Sequence, residues 1–431
     1  MIPITKLSDL TTIQLYSLFN RFGDDFHDIL VNTVIPIVND VKTDGDSAVI
    51  KYTEKFDNVS LTSVMANEEE FQKGFDSLKP EVLEAFKVAK SNIEEFHKKQ
   101  LHSDISYKRQ DGSQLGLMYR PIESAAIYVP GGKASYPSSI LMGVIPAQLA
   151  GVKNITVITP PGPDGNLSPV IGGICRLLEI DQVIKSGGAQ GIAAAGLGTE
   201  TITKSNIVIG PGNIFVTAAK TYLFSLGAIQ IDSMAGPSEV LIIADEKADP
   251  KWVAYDLLSQ AEHEERALAV LVTTSLDLAE KVNKEIEKDI AAGKGRIEIK
   301  KKALKNCLTI ICDSIEEAIG FSNSYAPEHM ELMVANPMEY LDSIKNVGSL
   351  FLGSHSPVAV GDYISGTNHI LPTGGAARFS SGVSVDTFMH RMTWQNISRE
   401  ALKSYKDNLS EIAKQEGFDD KHGGSVRVRF E

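Results

Sequence analysis

Ser124-Ala125-Ala126-Ile127-Tyr128-Val129-Pro130-Gly131-Gly132 is an apolar run that ends in a glycine turn, and Ser138 to Ala150 after it has helical spacing. The unit recurs. Asn154-Ile155-Thr156-Val157-Ile158-Thr159 leads to a helix over Pro169 to Leu178. Gln182-Val183-Ile184-Lys185 runs through Gly187-Gly188-Ala189-Gln190-Gly191 into an Ala-rich helix. Asn206-Ile207-Val208-Ile209 passes Gly210-Pro211-Gly212-Asn213 before a helix from Ile214 to about Leu226. Strand, turn and helix in alternation specify an open parallel sheet. Ligands of such a sheet bind outside the carboxyl ends of its strands. Glycine there lets the backbone approach a phosphate, and a helix N-terminus favours its charge. None of the turns is a GxGxxG fingerprint, and each alone reads equally as a tight turn. Three on one edge point to a nucleotide or phosphorylated ligand.

Outward from this block, the pattern starts again at Ser238-Glu239-Val240-Leu241-Ile242-Ile243. Further strands are expected at Ala267–Val272, Leu308–Ile311, Glu331–Val334 and Ser349–Leu352, with helices from Trp252 to about Glu264, Leu276 to about Ala291 and Ile315 to Ser324. The class is therefore α/β: two tandem doubly wound, incomplete Rossmann-like domains with helical N- and C-terminal extensions. The expected division is a helical region over residues 1–120 packing on the second α/β block, a first domain over 121–235 on the nucleotide side, a second over 236–380 on the metal and catalytic side, and a helical arm over 381–431. The amphipathic run from Glu81 to Gln100 carries packing, not chemistry. After Val383 the chain reads as helical through Trp394, Leu402 and Ile412.

A chain of 431 residues is too long for one ordinary core. A net charge of −13 argues against nucleic acid or anionic membrane as a partner. Met1-Ile2-Pro3-Ile4-Thr5-Lys6 opens no apolar signal region, and no apolar run reaches membrane-spanning length. Cys175, Cys307 and Cys312 show no metal or redox spacing, which fits a reduced cytoplasmic compartment.

Polar residues then stand in unusual places. Gln260 and His263, three apart in an expected helix, project from one face, and an imidazole beside an amide oxygen is half of a zinc site. Alone, the pair reads first as a lone surface Gln and a satisfied His, and it gains weight as a metal site only from the further Asp and His residues at Asp362, His369 and His422. Glu328 and His329 sit side by side before a strand, and both side-chain types carry protons near neutral pH. The stretch from Val360 to Arg378 is irregular and rich in Gly, with Asp362 a possible carboxylate ligand and His369 a substrate or supporting group. Glu416-Gly417-Phe418-Asp419-Asp420-Lys421-His422 closes the chain on an arm too small to be an enzyme itself.

Taken together, the motifs resemble histidinol dehydrogenase. The matching stretches are Tyr128-Val129-Pro130-Gly131-Gly132, Tyr136-Pro137-Ser138-Ser139, Gly188-Ala189-Gln190-Gly191-Ile192-Ala193, Gly210-Pro211-Gly212-Asn213, Ala235-Gly236-Pro237-Ser238-Glu239, Leu258-Ser259-Gln260-Ala261-Glu262-His263, Ala326-Pro327-Glu328-His329, Gly361-Asp362-Tyr363 and Asn368-His369-Ile370-Leu371-Pro372-Thr373. They run from about Tyr119 to the end. The resemblance implies oxidation of L-histidinol to L-histidine through L-histidinal, the last step of histidine biosynthesis, with two NAD and one zinc ion per site. It implies Gln260, His263, Asp362 and His422 as zinc ligands, and Tyr128, Gln190 and Asn213 as NAD contacts. Ser238, His329, His369 and Glu416 then face the substrate together with the zinc ligands, and Glu328 and His329 form the proton-transfer pair. It further implies a homodimer in which one subunit's C-terminal arm completes the other's site. The spacing from Glu416 to His422 is one residue longer than the family pattern.

The chemistry agrees with that reading. Alcohol to acid requires two hydride removals with a hydration between them. His329 is expected to take the hydroxyl proton, and Glu328 to activate water on the aldehyde. No cysteine lies in a motif, which disfavours a thiohemiacetal route. Two other readings use the same residues: a zinc- and NAD-dependent dehydrogenase for a different alcohol, such as a sulfonated diol, and a zinc hydrolase in which Glu328 activates water.

Overall fold

The computed structural model describes residues 1–21, 26–131, 135–234 and 236–431. It divides into two compact units, one of Met1–Gln100 with Glu123–Phe388, the other of Leu101–Ile122 with Met389–Glu431. Its strands are β1 (Ile4–Lys6), β2 (Ile105–Lys108), β3 (Gln114–Pro121), β4 (Ser124–Tyr128), β5 (Asn154–Thr159), β6 (Gln182–Lys185), β7 (Ile207–Ile209) and β8 (Gln230–Ile231). The series continues with β9 (Glu239–Ala244), β10 (Leu268–Thr273), β11 (Leu308–Ile311), β12 (His329–Met333), β13 (Ser349–Leu352) and β14 (Met389–Asn396).

The larger unit holds two parallel sheets. The first has the order β6-β5-β4-β7-β8, and the second β1-β11-β10-β9-β12-β13. Counted within each block, strands 3-2-1-4-5 recur, so the expected duplication of a doubly wound unit is present. Strands β4, β9 and β12 are buried along their whole length. Parallel strands covered on both faces lose period-two alternation and read as continuous apolar runs. Glu239, His329 and Glu331 interrupt those runs with polar groups, which in a core strand demands partners.

The N-terminal segment departs from expectation. It is not wholly helical: β1 adds itself to the edge of the second sheet beside β11. Most of its helical surface packs on the first block rather than the second. Helix Ile35–Asp57 lies on helix Gly188–Leu197, Glu68–Ser77 on Pro169–Leu177, and Pro80–Lys98 on Pro137–Ala150. Small residues explain the second contact: a Cβ on Gly74 would lie 2.6 Å from the Pro169 carbonyl oxygen and 2.7 Å from the Gly173 nitrogen.

The boundaries at 120 and 380 also move. Residues 101–122 form β2 and β3, which belong with the C-terminal segment, and the arm opens on a strand instead of a helix. β14 pairs antiparallel with β3 from Met389↔Pro121 to Asn396↔Gln114, followed by helix Arg399–Gln415. The helix expected to reach Glu264 ends at Ala261. Glu262, Glu264 and Glu265 follow, and acidic groups oppose helix continuation at the negative C-terminal end of its dipole. His263 therefore sits in the turn beyond the helix that carries Gln260.

Candidate active site

The carboxyl ends of β4, β6 and β7 border a cavity of about 1370 Å³ lined by Asp57, Tyr128, Gly131, Gly188, Gln190 and Asn213, among others. Tyr128 closes β4; its hydroxyl accepts the Gly188 N–H at 3.3 Å, and burial pushes the phenol up to about 12. Asn213 caps helix Ile214–Ser225, its Oδ1 accepting from Phe215 N–H at 3.0 Å and Val216 N–H at 3.2 Å. Gln190 is buried in the first turn of helix Gly188–Leu197, and its Oε1 has no partner. The cavity thus gathers the residues expected to contact NAD.

The Gly210 turn is locked from behind. Gly210 has φ +116°, and a Cβ there would lie 2.2 Å from the Tyr128 carbonyl oxygen, so only glycine fits. Its N–H donates to Asp232 Oδ2 at 2.8 Å, while buried Lys220 donates to Asp232 Oδ1 at 2.5 Å and to the Gly210 carbonyl at 2.9 Å. Gly132 and Ala235, both in motifs quoted above, lie outside the described residues.

A second cluster forms at the amino ends of β9 and β12. Helix Ile315–Tyr325 stops at Ala326, whose left-handed φ of 53° caps it and turns the chain into Pro327-Glu328-His329. Glu239, opening the neighbouring strand, holds both members of the acid–base pair through its own peptide groups. Its N–H donates to Glu328 Oε2 at 2.7 Å, and its carbonyl accepts from His329 Nδ1 at 2.9 Å. That second bond puts the proton on Nδ1 and leaves Nε2 as the available base. Nε2 is buried without a hydrogen-bond partner: Asp362 Oδ1 stands at 3.7 Å, too far for one.

The charges around it are strongly coupled. Burial opposes a cationic His329, but Glu328 and Asp362 outweigh that penalty and hold the imidazole well above its usual 6.5. Burial would raise Asp362, on helix Val358–Tyr363, yet His329 chiefly, then His369 and His263, keep it below the usual carboxyl range. His369 is half-buried, and desolvation of its ring holds its pKa down; Nδ1 donates to the Asp362 carbonyl at 2.8 Å, and Nε2 lies 3.1 Å from Ser139 Oγ. Beneath the site, burial and then Asp256 push Glu331 up to about 9, and its Oε1 accepts the Val358 N–H at 2.8 Å at the start of the Asp362 helix.

Gln260 is 2% exposed, with its amide Nε2 unpartnered. His263 is half-buried and donates its backbone N–H to the Gln260 carbonyl at 3.2 Å. Among the described residues no three His, Cys, Asp or Glu side chains group to hold a metal. Gln260, His263 and Asp362 supply only two of those types plus an amide, so a metal here needs the amide and at least one donor from elsewhere. Ser238 is half-buried just before β9, with its backbone N–H on Glu264 Oε1 at 3.2 Å.

Glu416 and His422 belong to the smaller unit, where both are exposed. The turn Asp419–Gly423 is wound as a π-helix, with Gly423 N–H donating to the carbonyl of Phe418 at 3.0 Å, five residues back.

Two residues of the site escaped the sequence. Arg21 grips the Glu239 carboxylate with Nε and Nη2, each at 2.8 Å, and lies 3.7 Å over the Tyr325 ring. Gly374 N–H completes the grip on Glu239 at 3.1 Å. Glu239 lies in a quoted motif, and a Glu opening an otherwise apolar strand was the available signal; Arg21 had none.

Comparisons with known proteins agree with this architecture. The family model described as histidinol dehydrogenase matches residues 21–430. A histidinol dehydrogenase of Leptospira interrogans is 50% identical over 397 residues, 92% of each chain, and one of Methanosarcina barkeri is 45% identical over 431 residues, 100% of this chain and 98% of that one. The crystal structure of histidinol dehydrogenase from Elizabethkingia anophelis superposes with a TM-score of 0.92 at 39% identity, covering 100% of this chain and 98% of the other.

Proposed function

The chain belongs to the histidinol dehydrogenase family of oxidoreductases, and from that membership we propose that it oxidises L-histidinol to L-histidine in two NAD-dependent steps through L-histidinal. The observation that carries the reading is the buried Glu328–His329 pair, with its Nε2 unpartnered and its Nδ1 tied down. A base fixed in one tautomer, with its other ring nitrogen left unpartnered, is what proton abstraction from a hydroxyl requires.

In this reading the remaining residues take the following roles. The cavity of the first sheet takes the dinucleotide, against Tyr128, Gln190 and Asn213. Gln260, His263 and Asp362, with His422 of a partner subunit, hold zinc; Ser238, His369 and Glu416 orient the substrate. Bound NAD supplies the hydride acceptor, and zinc supplies a Lewis-acid anchor for the amino alcohol. His329 accepts the hydroxyl proton in the first oxidation. Glu328 then deprotonates the water that adds to the aldehyde, and His329 takes the hydrate's proton in the second. Burial of the pair keeps bulk water from the aldehyde between steps. A reduced cytoplasmic setting fits the three free, buried cysteines, and the shared site makes the working unit a homodimer.

The test is purified protein with NAD and histidinol. Two NADH formed per histidinol consumed, with histidine as product, is the expected result. Release of histidinal as the end product, or one NADH per turnover, would sink the four-electron reading.

A further inference from the structure

We infer that Arg21, from the N-terminal segment, is a positioning residue for the reaction: by holding Glu239 it sets the placement of both Glu328 and His329. The inference rests on the acid–base reading of that pair. Glu239 is the structural hub. Its N–H fixes Glu328 at 2.7 Å and its carbonyl fixes His329 Nδ1 at 2.9 Å. The orientation of those two peptide groups depends on where its side chain is anchored. That side chain is fully buried, and its carboxylate is held by the Arg21 fork at 2.8 Å twice and by Gly374 N–H at 3.1 Å.

Arg21 is itself held in place. Its Nη1 donates to the Leu18 carbonyl at 2.9 Å and to the Tyr325 carbonyl at 3.1 Å, and its guanidinium covers the Tyr325 ring at 3.7 Å. Tyr325 ends the helix that turns through Ala326 into Glu328. One guanidinium therefore braces the hub strand and the approach to the catalytic pair together. A planar, five-donor group is required for this; an ammonium cannot reproduce the fork.

Misplacement of reacting groups by about 1 Å costs on the order of 10²-fold in rate. Arg21→Ala should lower kcat in both the alcohol and the aldehyde half-reactions by about that factor, with the KM for histidinol changed far less. Millimolar guanidinium should restore much of the loss, and Arg21→Lys should fall between. The imidazole N–H proton resonance that disappears in His329→Asn should broaden or shift in Arg21→Ala and return with guanidinium. A merely structural arginine would lower the amount of folded enzyme without any of these signatures.

Arg21→Ala leaves a buried carboxylate unpaired, so the double variant Arg21→Met/Glu239→Gln is measured as well. Removing both charges restores folding, yet the hub loses its anchor, so kcat should remain low. Full kcat in the double variant, or an Arg21→Ala defect that guanidinium does not relieve, overturns the inference. Glu328→Gln and His329→Asn are assayed in parallel: if they retain their rates, the acid–base reading has failed; if they lose them while Arg21 variants do not, the positioning inference alone has failed.

Discussion

The two parallel sheets share one topology but gather polar groups at opposite edges. The first uses its carboxyl edge, where helices Gly188–Leu197 and Ile214–Ser225 begin, and its turns offer backbone N–H groups and glycines. The second uses its amino edge, where helices Pro250–Ala261 and Ile315–Tyr325 end, and it offers Glu239, Glu328, His329 and the carboxylate of Asp362. A helix start carries about half a positive charge and a helix end about half a negative one. The first edge is accordingly suited to a pyrophosphate, the second to a cation or a protonated amine. Duplication of a fold unit supplied two edges of opposite polarity.

The comparison breaks if the two edges are not separable. The largest effect should come from a chelator: activity lost, with NAD affinity measured by fluorescence titration unchanged. A parallel fall in NAD affinity would show one merged site. Next, His329→Asn should slow both half-reactions by about 10²–10⁴-fold, whereas Glu328→Gln should do so only when histidinal is the substrate. Equal losses in both assays would refute that division of labour.

On the other edge, Gly210→Ala places a methyl group 2.2 Å from the Tyr128 carbonyl oxygen and in a backbone region alanine avoids. It should weaken NAD binding by about tenfold, from strain of roughly 1–3 kcal/mol, and leave zinc content by metal analysis unchanged. The smallest effect concerns pH. His329 must be neutral to accept a proton, and its pKa is raised, chiefly by Glu328 against the opposing effect of burial. The acid limb of the rate profile should thus lie alkaline of the usual imidazole value, and Glu328→Gln should move it to lower pH in the alcohol half-reaction. A limb that stays put or moves up would mean that another group controls it.

Much of the first edge was legible in the chain, because strand, glycine turn and helix follow one another within a few residues. The second edge was half legible. Glu328 and His329 announce themselves as polar residues entering an apolar strand, but Arg21 meets Glu239 across 218 positions, and no local pattern encodes that. β14 was misread for a different reason. Met389–Asn396 is exposed over most of its length on both faces, so it shows neither the alternation of a half-buried strand nor the apolar run of a buried one. Gln260 and His263 were expected on one helix face; the acidic residues after Ala261 end the helix first and put His263 in the turn.

The edge strand β1 has a consequence for how the molecule is made. Ile4, Thr5 and Lys6 pair with Thr309, Ile310 and Ile311, and the Ile2 N–H donates to Asn283 Oδ1 at 3.0 Å. β1 is thus synthesised long before its partner β11 and is among the last strands to find its place. At roughly 5–20 residues per second, it waits on the order of tens of seconds while the first sheet, whose strands are contiguous in sequence, emerges and folds. Final assembly of the second sheet is a late event on the ribosome or after release, and a bulky N-terminal fusion should slow that step before it harms the finished fold.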